Sequence, residues 1–508
     1  MEIQILQDEY WWGGVVDLGS QMPYDCNSNS RINVGHEGED QSASLFLSNK
    51  GRYMYSDKPF CISFNQGTIW IDNYYKVELR DGFGDLKGAH KEAIQKHFRN
   101  PGKIPNEQFF RVPQYNTWIE FMYNQNQKGI LEYARSIVEN KMIPGILMID
   151  EGWSEDYGVF DFYPGRFETP KQMVDELHRL GFTVMLWITP HISPDSNAFR
   201  ELRNTDYLIR DKNGEFAVRK WWNGFSCVLD LSNPGACEWL KEKLEYVRTE
   251  YNVDGFKFDA GDPYMYSAED QTFIRQIPQN HTTDYGRFAA QYEFNELRAV
   301  WNMGAEPLVC RLHDKFHSWE SDGLNCIIPN TIAQGLLGYY YGCPDMVGGG
   351  NYGSFIQDGF SLDEELYIRW LQASILCPMI QFSIAPWRVL SKENNEIVKK
   401  MLAFRERYTP YILEMAYKSA IDHEPIVRPL EYEFPGCGFE KENGMYMLGS
   451  KYLVVPMLEK GRSKRTVTLP EGHWKESDGN LYIGGTPMEL DYPLDKIYVF
   501  ERKENNEL

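Results

Sequence analysis

Two apolar runs in the chain end in paired acids. Ile146-Leu147-Met148-Ile149 leads into Asp150-Glu151-Gly152-Trp153, and Val253-Asp254-Gly255-Phe256-Lys257-Phe258 leads into Asp259-Ala260-Gly261-Asp262. Carboxylates at the end of a buried strand suit nucleophilic attack, proton transfer or metal-assisted hydrolysis. In the second run, period-two alternation puts Lys257 and Asp259 on one side of the strand and Phe256 and Phe258 on the other. An ammonium beside Asp259 favours its ionised form, the state a nucleophile needs. A structural ion pair is the plainer alternative. On these residues alone, glycoside hydrolysis, metal-assisted hydrolysis and an enolising reaction all remain open. The ten histidines are scattered, with no His-x-His or His-Glu-x-x-His spacing, and none of the nine cysteines forms a Cys-x-x-Cys pair, so no metal or other cofactor is expected.

Such acids need strands that end together at one face. At 508 residues the chain calls for a large catalytic domain with smaller modules. Residues 1–108 alternate in short segments between Gly, Asn, Asp and Pro turns and are expected to form a β-sandwich. Residues 109–420 change to brief apolar runs followed by helix-patterned stretches, the texture of βα units. The expected strands are Trp118–Tyr123, Ile146–Asp150, Thr183–Thr189, Gly255–Asp259, Leu308–Leu312, Cys326–Pro329, Asp345–Gly348 and Met379–Ile384. Eight such units without a Gly-rich phosphate loop after the first suit a closed (β/α)8 TIM barrel better than an open doubly wound sheet. Residues 421–508 return to short strands and form a small C-terminal β-domain. The fold class is therefore α/β, a barrel between two β-modules. Catalytic groups in such a barrel sit at the C-terminal strand ends, where Asp150 and Asp259 fall.

The net charge of −21 and the lack of a Lys/Arg stripe argue against nucleic acid as a partner. No run of 18 apolar residues suggests a membrane span, and the N-terminus lacks a basic n-region with an apolar h-region. The expectation is a cytoplasmic protein, or a periplasmic one if a leader has been removed; oligomeric state is not readable. A high content of Tyr, Phe and Trp suits sugar faces as well as core packing.

Several segments in order resemble glycoside hydrolase family 31. Phe256-Lys257-Phe258-Asp259-Ala260-Gly261-Asp262 is similar to its nucleophile segment, Asp150-Glu151-Gly152-Trp153 and Trp187-Ile188-Thr189-Pro190 to its substrate-binding strands, and Gly342 to Gly349, with Asp345, to its later glycine-rich turn. Glu424-Pro425-Ile426-Val427-Arg428-Pro429-Leu430 and Gly449 to Pro456 resemble its C-terminal domain. The resemblance implies a retaining α-glycosidase acting on a small carbohydrate, with Asp259 as nucleophile. It places the general acid/base at Asp322, in Trp319-Glu320-Ser321-Asp322, where Ser321 replaces the usual Gly and Asp314 competes. Trp319 would raise the pKa of that acid by desolvation. Asp150 would grip the far hydroxyls of the sugar, with Glu151 beside it, and Arg311 a hydroxyl or a carboxylate. Trp118, Trp153 and Trp187 would stack on sugar faces. The eighth strand carries Gln381-Phe382-Ser383 where α-glucosidases of the family have an Arg-x-His pair, so the resemblance implies the α-galactosidase branch, with Gln381 among the binding residues. An α-glucosidase, α-xylosidase or sulfoquinovosidase, or a non-catalytic carbohydrate-binding protein on this fold, are the rivals.

Overall fold

The computed structural model describes residues 1–72 and 75–503. At the N-terminus two four-stranded antiparallel sheets face each other. One runs in the order Glu2–Gln4, Thr68–Ile71, Cys61–Asn65, Asn29–Asn33; the other in the order Trp11–Val15, Ser42–Ser48, Tyr53–Tyr55, Glu78–Arg80. Thr68–Ile71 buries alternate residues, as a strand with one wet face must. All seven residues of Ser42–Ser48 are buried, because its far side is covered by the barrel: Ser42 N donates to Val300 O at 2.9 Å. Gly13, with φ of 139°, lies so close to this strand that a Cβ would sit 2.1 Å from Leu45 O.

Eight parallel strands follow around the barrel: Gln114–Asn116, Ile146–Ile149, Thr183–Ile188, Gly255–Phe258, Asn295–Leu297, Cys310–Arg311, Gly342–Cys343 and Gln381–Phe382. The eighth pairs with the first, and Val347 N donates to Gln381 O at 2.8 Å across the seam after the seventh. Sequence pattern located the second, third, fourth, sixth and eighth strands. Trp118–Tyr123 instead contains the short helix Trp118–Phe121, one turn past the first strand. Cys326–Pro329 lies inside the helix Leu324–Leu336, which is buried all round and so reads as a continuous apolar run that periodicity cannot tell from a strand. The seventh strand ends before Asp345, and Asn295–Leu297, with Asn and Glu at two of its three positions, gives no apolar run to mark a strand. Its Asn295 side chain accepts from Val309 N and donates to Tyr292 O, tying the strand to its neighbours.

The strand that leads to Asp259 is delivered by the helix Pro234–Tyr251. Asn233 caps its N-terminus by accepting from Gly235 N, and Asn252 stops it in the left-handed region. Phe256 and Phe258 then pack outward on Tyr292 and Tyr285, ring centroids 5.4 and 5.7 Å apart, leaving Lys257 and Asp259 to face the barrel axis as alternation requires. The C-terminal module is a six-stranded antiparallel sheet with a separate two-stranded ribbon, Lys464–Thr468 with Pro487–Asp491, around Trp474, Phe500 and Leu453. Among the described residues no helix is long and apolar enough to cross a membrane.

Candidate active site

The barrel opens at its C-terminal face into a cavity of about 420 Å³. Asp259 stands at its floor, 8% exposed. Its Oδ1 accepts from Arg298 Nε at 3.0 Å and from Ala260 N at 2.8 Å; its Oδ2 accepts from Trp187 Nε1 at 2.9 Å and lies 4.0 Å from Lys257 Nζ. Burial by itself would raise this carboxyl, but Arg298, then Lys257 and Arg311, overcome it and hold Asp259 well below the usual carboxylate range. After Asp259 the chain turns through left-handed Ala260 and Gly261, φ 60° and 75°. A left-handed non-glycine residue costs energy and occurs where the surroundings demand it. Here the turn returns Asp262 to Arg298, which it grips with both oxygens at 2.8 and 2.7 Å.

On the second strand end Asp150 accepts from Lys257 Nζ at 2.7 Å and from Glu151 N at 2.9 Å. Glu151 is 3% exposed and accepts from the Tyr157 hydroxyl and the Asn223 amide. Desolvation, with the charges of Asp150 and Asp259, pushes its carboxyl up to about 8, so it is a neutral acid at pH 7. Asn223 sits with Trp222 at the tip of the hairpin formed by Arg219–Trp221 and Gly224–Val228, and its Oδ1 accepts from Tyr123 at 3.1 Å. This hairpin walls one side of the cavity.

The opposite wall comes from the sixth strand. Arg311, fully buried, donates from Nη1 to Asp314 at 2.9 Å and to Asp345 at 3.0 Å. Asp345 also accepts the backbone N–H groups of Lys315 and Gly350 at 2.6 and 2.7 Å, pinning two loops. His313 is bound to Asp17 and Asp40 of the sandwich, as is Lys315. Burial would lower the His313 pKa, but Asp40 and Asp17 raise it to about 10, so an imidazolium faces the cavity beside Asp314. Trp118, Tyr123, Trp187, Trp222, Phe316 and Tyr352 supply the aromatic lining.

Residues 114–311 and 312–415 match the TIM-barrel domain of glycosyl hydrolases family 31, and residues 423–505 match that family's C-terminal domain. The chain belongs to glycoside hydrolase family 31. It is 32% identical to the myogenesis-regulating glycosidase of Mus musculus over 421 residues, covering 81% of this chain and 58% of that protein. It is 24% identical to the alpha-xylosidase XylQ of Lactiplantibacillus pentosus, covering 87% of this chain and 62% of that one. The chain thus spans about six-tenths of the length of these relatives. The Flavobacterium johnsoniae dextranase of the family, solved with glucose, superposes with a TM-score of 0.84 at 20% identity over 99% of this chain and 66% of its own, a likeness of fold.

Of the residues expected from sequence, this family 31 barrel brings Trp118, Asp150, Glu151, Trp187, Lys257, Asp259 and Arg311 together around the cavity. Five others lie outside its lining. Asp322 is exposed: residues 316–323 fold into a tight turn ahead of helix Leu324–Leu336, with Phe316 N donating to Asp322 O at 3.0 Å and Leu324 N to Ser318 O at 2.8 Å, which leaves the side chain in solvent. The carboxylate from this stretch that faces the cavity is Asp314. Trp319 is turned to Asp363 Oδ2 at 3.0 Å. Trp153 is 2% exposed, packs on Phe162 and donates to Trp187 O at 2.7 Å, supporting that tryptophan from behind. Gln381 lies within the barrel, bonded to Gln114 and Glu296 at 3.0 and 2.8 Å. Asp345 anchors loops and reaches the site through Arg311.

Sequence reasoning missed Arg298, Trp222, His313 and Glu39. Arg298 follows the polar fifth strand, so the signal was lost with the strand. Trp222 was detectable as half of a Trp-Trp pair followed by Asn-Gly, a hairpin-turn signature. Glu39 belongs to the sandwich, and nothing local in sequence tells which of its loops meets the barrel.

Proposed function

We propose that the chain is a retaining, exo-acting α-glycosidase that removes a terminal non-reducing α-linked sugar, with α-galactosides the preferred substrates. The observation that carries this is Asp259: a buried carboxylate, held ionised and fixed by Arg298, Trp187 and Ala260 N–H, at the floor of a cavity of a size that encloses a small ligand. Asp259 attacks the anomeric carbon while Asp314 protonates the leaving oxygen; Asp314 then takes a proton from the water that cleaves the glycosyl-enzyme. Asp314 replaces Asp322 in this role because it lines the cavity.

Neutral sugar fits the electrostatics. Each cation lining the cavity is already paired: Lys257 with Asp150, Arg298 with Asp262 and Asp259, Arg311 with Asp345, His313 with Asp17 and Asp40. A sulfonate would have to displace one of these carboxylates, which counts against a sulfoquinovosidase. The galactoside preference is supported by the eighth strand, which lacks the Arg-x-His pair of the family's α-glucosidases.

A panel of nitrophenyl α-glycosides tests the reading. The galactoside is expected to turn over fastest; faster release from the glucoside or xyloside would reassign the sugar. Binding across the panel without turnover would favour a carbohydrate-binding protein on the same fold.

A further inference from the structure

We propose that Arg298 is the positioning residue that keeps the nucleophile ionised and aimed, with Asp262 and the hairpin tip holding its guanidinium in place. This rests on reading Asp259 as the nucleophile. Lys257, the cation the sequence puts beside Asp259, is committed elsewhere: its ammonium is 2.7 Å from Asp150 and 4.0 Å from Asp259. Arg298 is the cation in direct hydrogen bond with the nucleophile, through Nε at 3.0 Å. Its other two nitrogens form the fork on Asp262, and Nη1 also donates to Glu39 O of the sandwich. Trp222 covers the guanidinium with its carbon 5.4 Å from the ring centroid. The planar fork is therefore fixed by barrel, sandwich and hairpin, and only its Nε edge is turned to Asp259. Lysine, a point charge without a fork, cannot hold Asp259 and Asp262 in that geometry.

The charged and titratable groups around Asp259 come from every strand end that meets it: Asp150 and Glu151 from the second, buried His191 after the third, Lys257 and Asp262 from the fourth, Arg298 from the fifth, Arg311 from the sixth, with Tyr285 behind. Removing Arg298 leaves burial and the acids Asp150 and Asp262 to raise Asp259, against Lys257 and Arg311. Removing Asp262 takes away a like charge and loosens the guanidinium's fork, but keeps the positive charge beside Asp259. The two changes therefore move the nucleophile's titration in opposite senses.

The experiment is the pH profile of kcat and kcat/KM for wild type, R298Q, R298K and D262N on the best nitrophenyl glycoside. R298Q is expected to lose kcat by on the order of 100-fold with little change in KM, and its acid limb is expected to rise by at least about one pH unit. R298K should recover part of the acid limb but little of kcat, and D262N should lose kcat with an acid limb unmoved or lower. Should R298Q fail to fold, R298K and D262N carry the comparison. An acid limb that stays at the wild-type pH in R298Q, or that rises equally in D262N, overturns the proposal while leaving Asp259 as nucleophile. Full wild-type-like turnover in D259N would instead sink the reading beneath it.

Discussion

Arg311 Nη1 holds Asp314 Oδ1 at 2.9 Å on the cavity wall, while Asp322, eight residues further along the same connection, points into solvent. The family's sequence pattern favours the second acid and the geometry favours the first. D314N is therefore expected to lose on the order of 10²–10⁴ in kcat/KM for glycosides with poor leaving groups, and far less for dinitrophenyl or fluoride leaving groups that need no proton. D322N should stay within a few-fold of wild type. The reverse ranking would restore Asp322 and require that the turn at 316–323 rearrange when sugar binds.

Glu151 makes the site sensitive to alkali. With its carboxyl near 8 in the fold and 4.5 as an ordinary glutamate, the folded protein holds this proton more tightly than the unfolded chain. Stability from this group is thus full below about pH 4.5, falls as pH rises to about 8, and is level above. E151Q keeps a neutral acceptor for Tyr157 and Asn223. Thermal melts from pH 5 to 9 should show the variant gaining on wild type as pH increases; parallel curves would mean Glu151 is already ionised in the fold.

Lys257 is nearly fully buried between Asp150 and Asp259, so deleting its charge strands two acids in a low-dielectric site. K257M should cost about 3–5 kcal/mol in denaturant unfolding at pH 7. The double variant K257M/D150N should recover much of that loss while remaining poorly active. Equal stability of the single and double variants would show that the pair is not coupled.

What could be read in the sequence follows from how local the signal was. Strands Ile146–Ile149 and Thr183–Ile188 are short and mostly apolar on both faces, and the alternation in Phe256-Lys257-Phe258-Asp259 fixed which residues face the axis. Gln114 and Asn116 of the first strand and Glu296 of the fifth meet Gln381 inside the barrel, and Asn295 bonds the backbone of Tyr292 and Val309, so the composition of both strands reads as loop. Trp153 follows the second strand and Trp187 lies near the end of the third, so both fall near the open end of the barrel. Only the tertiary fold puts one behind the other. Arg298 is the costliest omission, since its partners Asp262 and Glu39 lie 36 and 259 residues away.

The central claim is a covalent glycosyl bond to Asp259. Incubation with 5-fluoro-α-galactosyl fluoride, followed by proteolysis and mass spectrometry, tests it at the atom concerned. The account predicts stoichiometric labelling of the peptide carrying Lys257-Phe258-Asp259, loss of activity in step with labelling, and no label in D259N. Turnover with the label on another carboxylate, or release of the inverted anomer with no trapped intermediate, would contradict it.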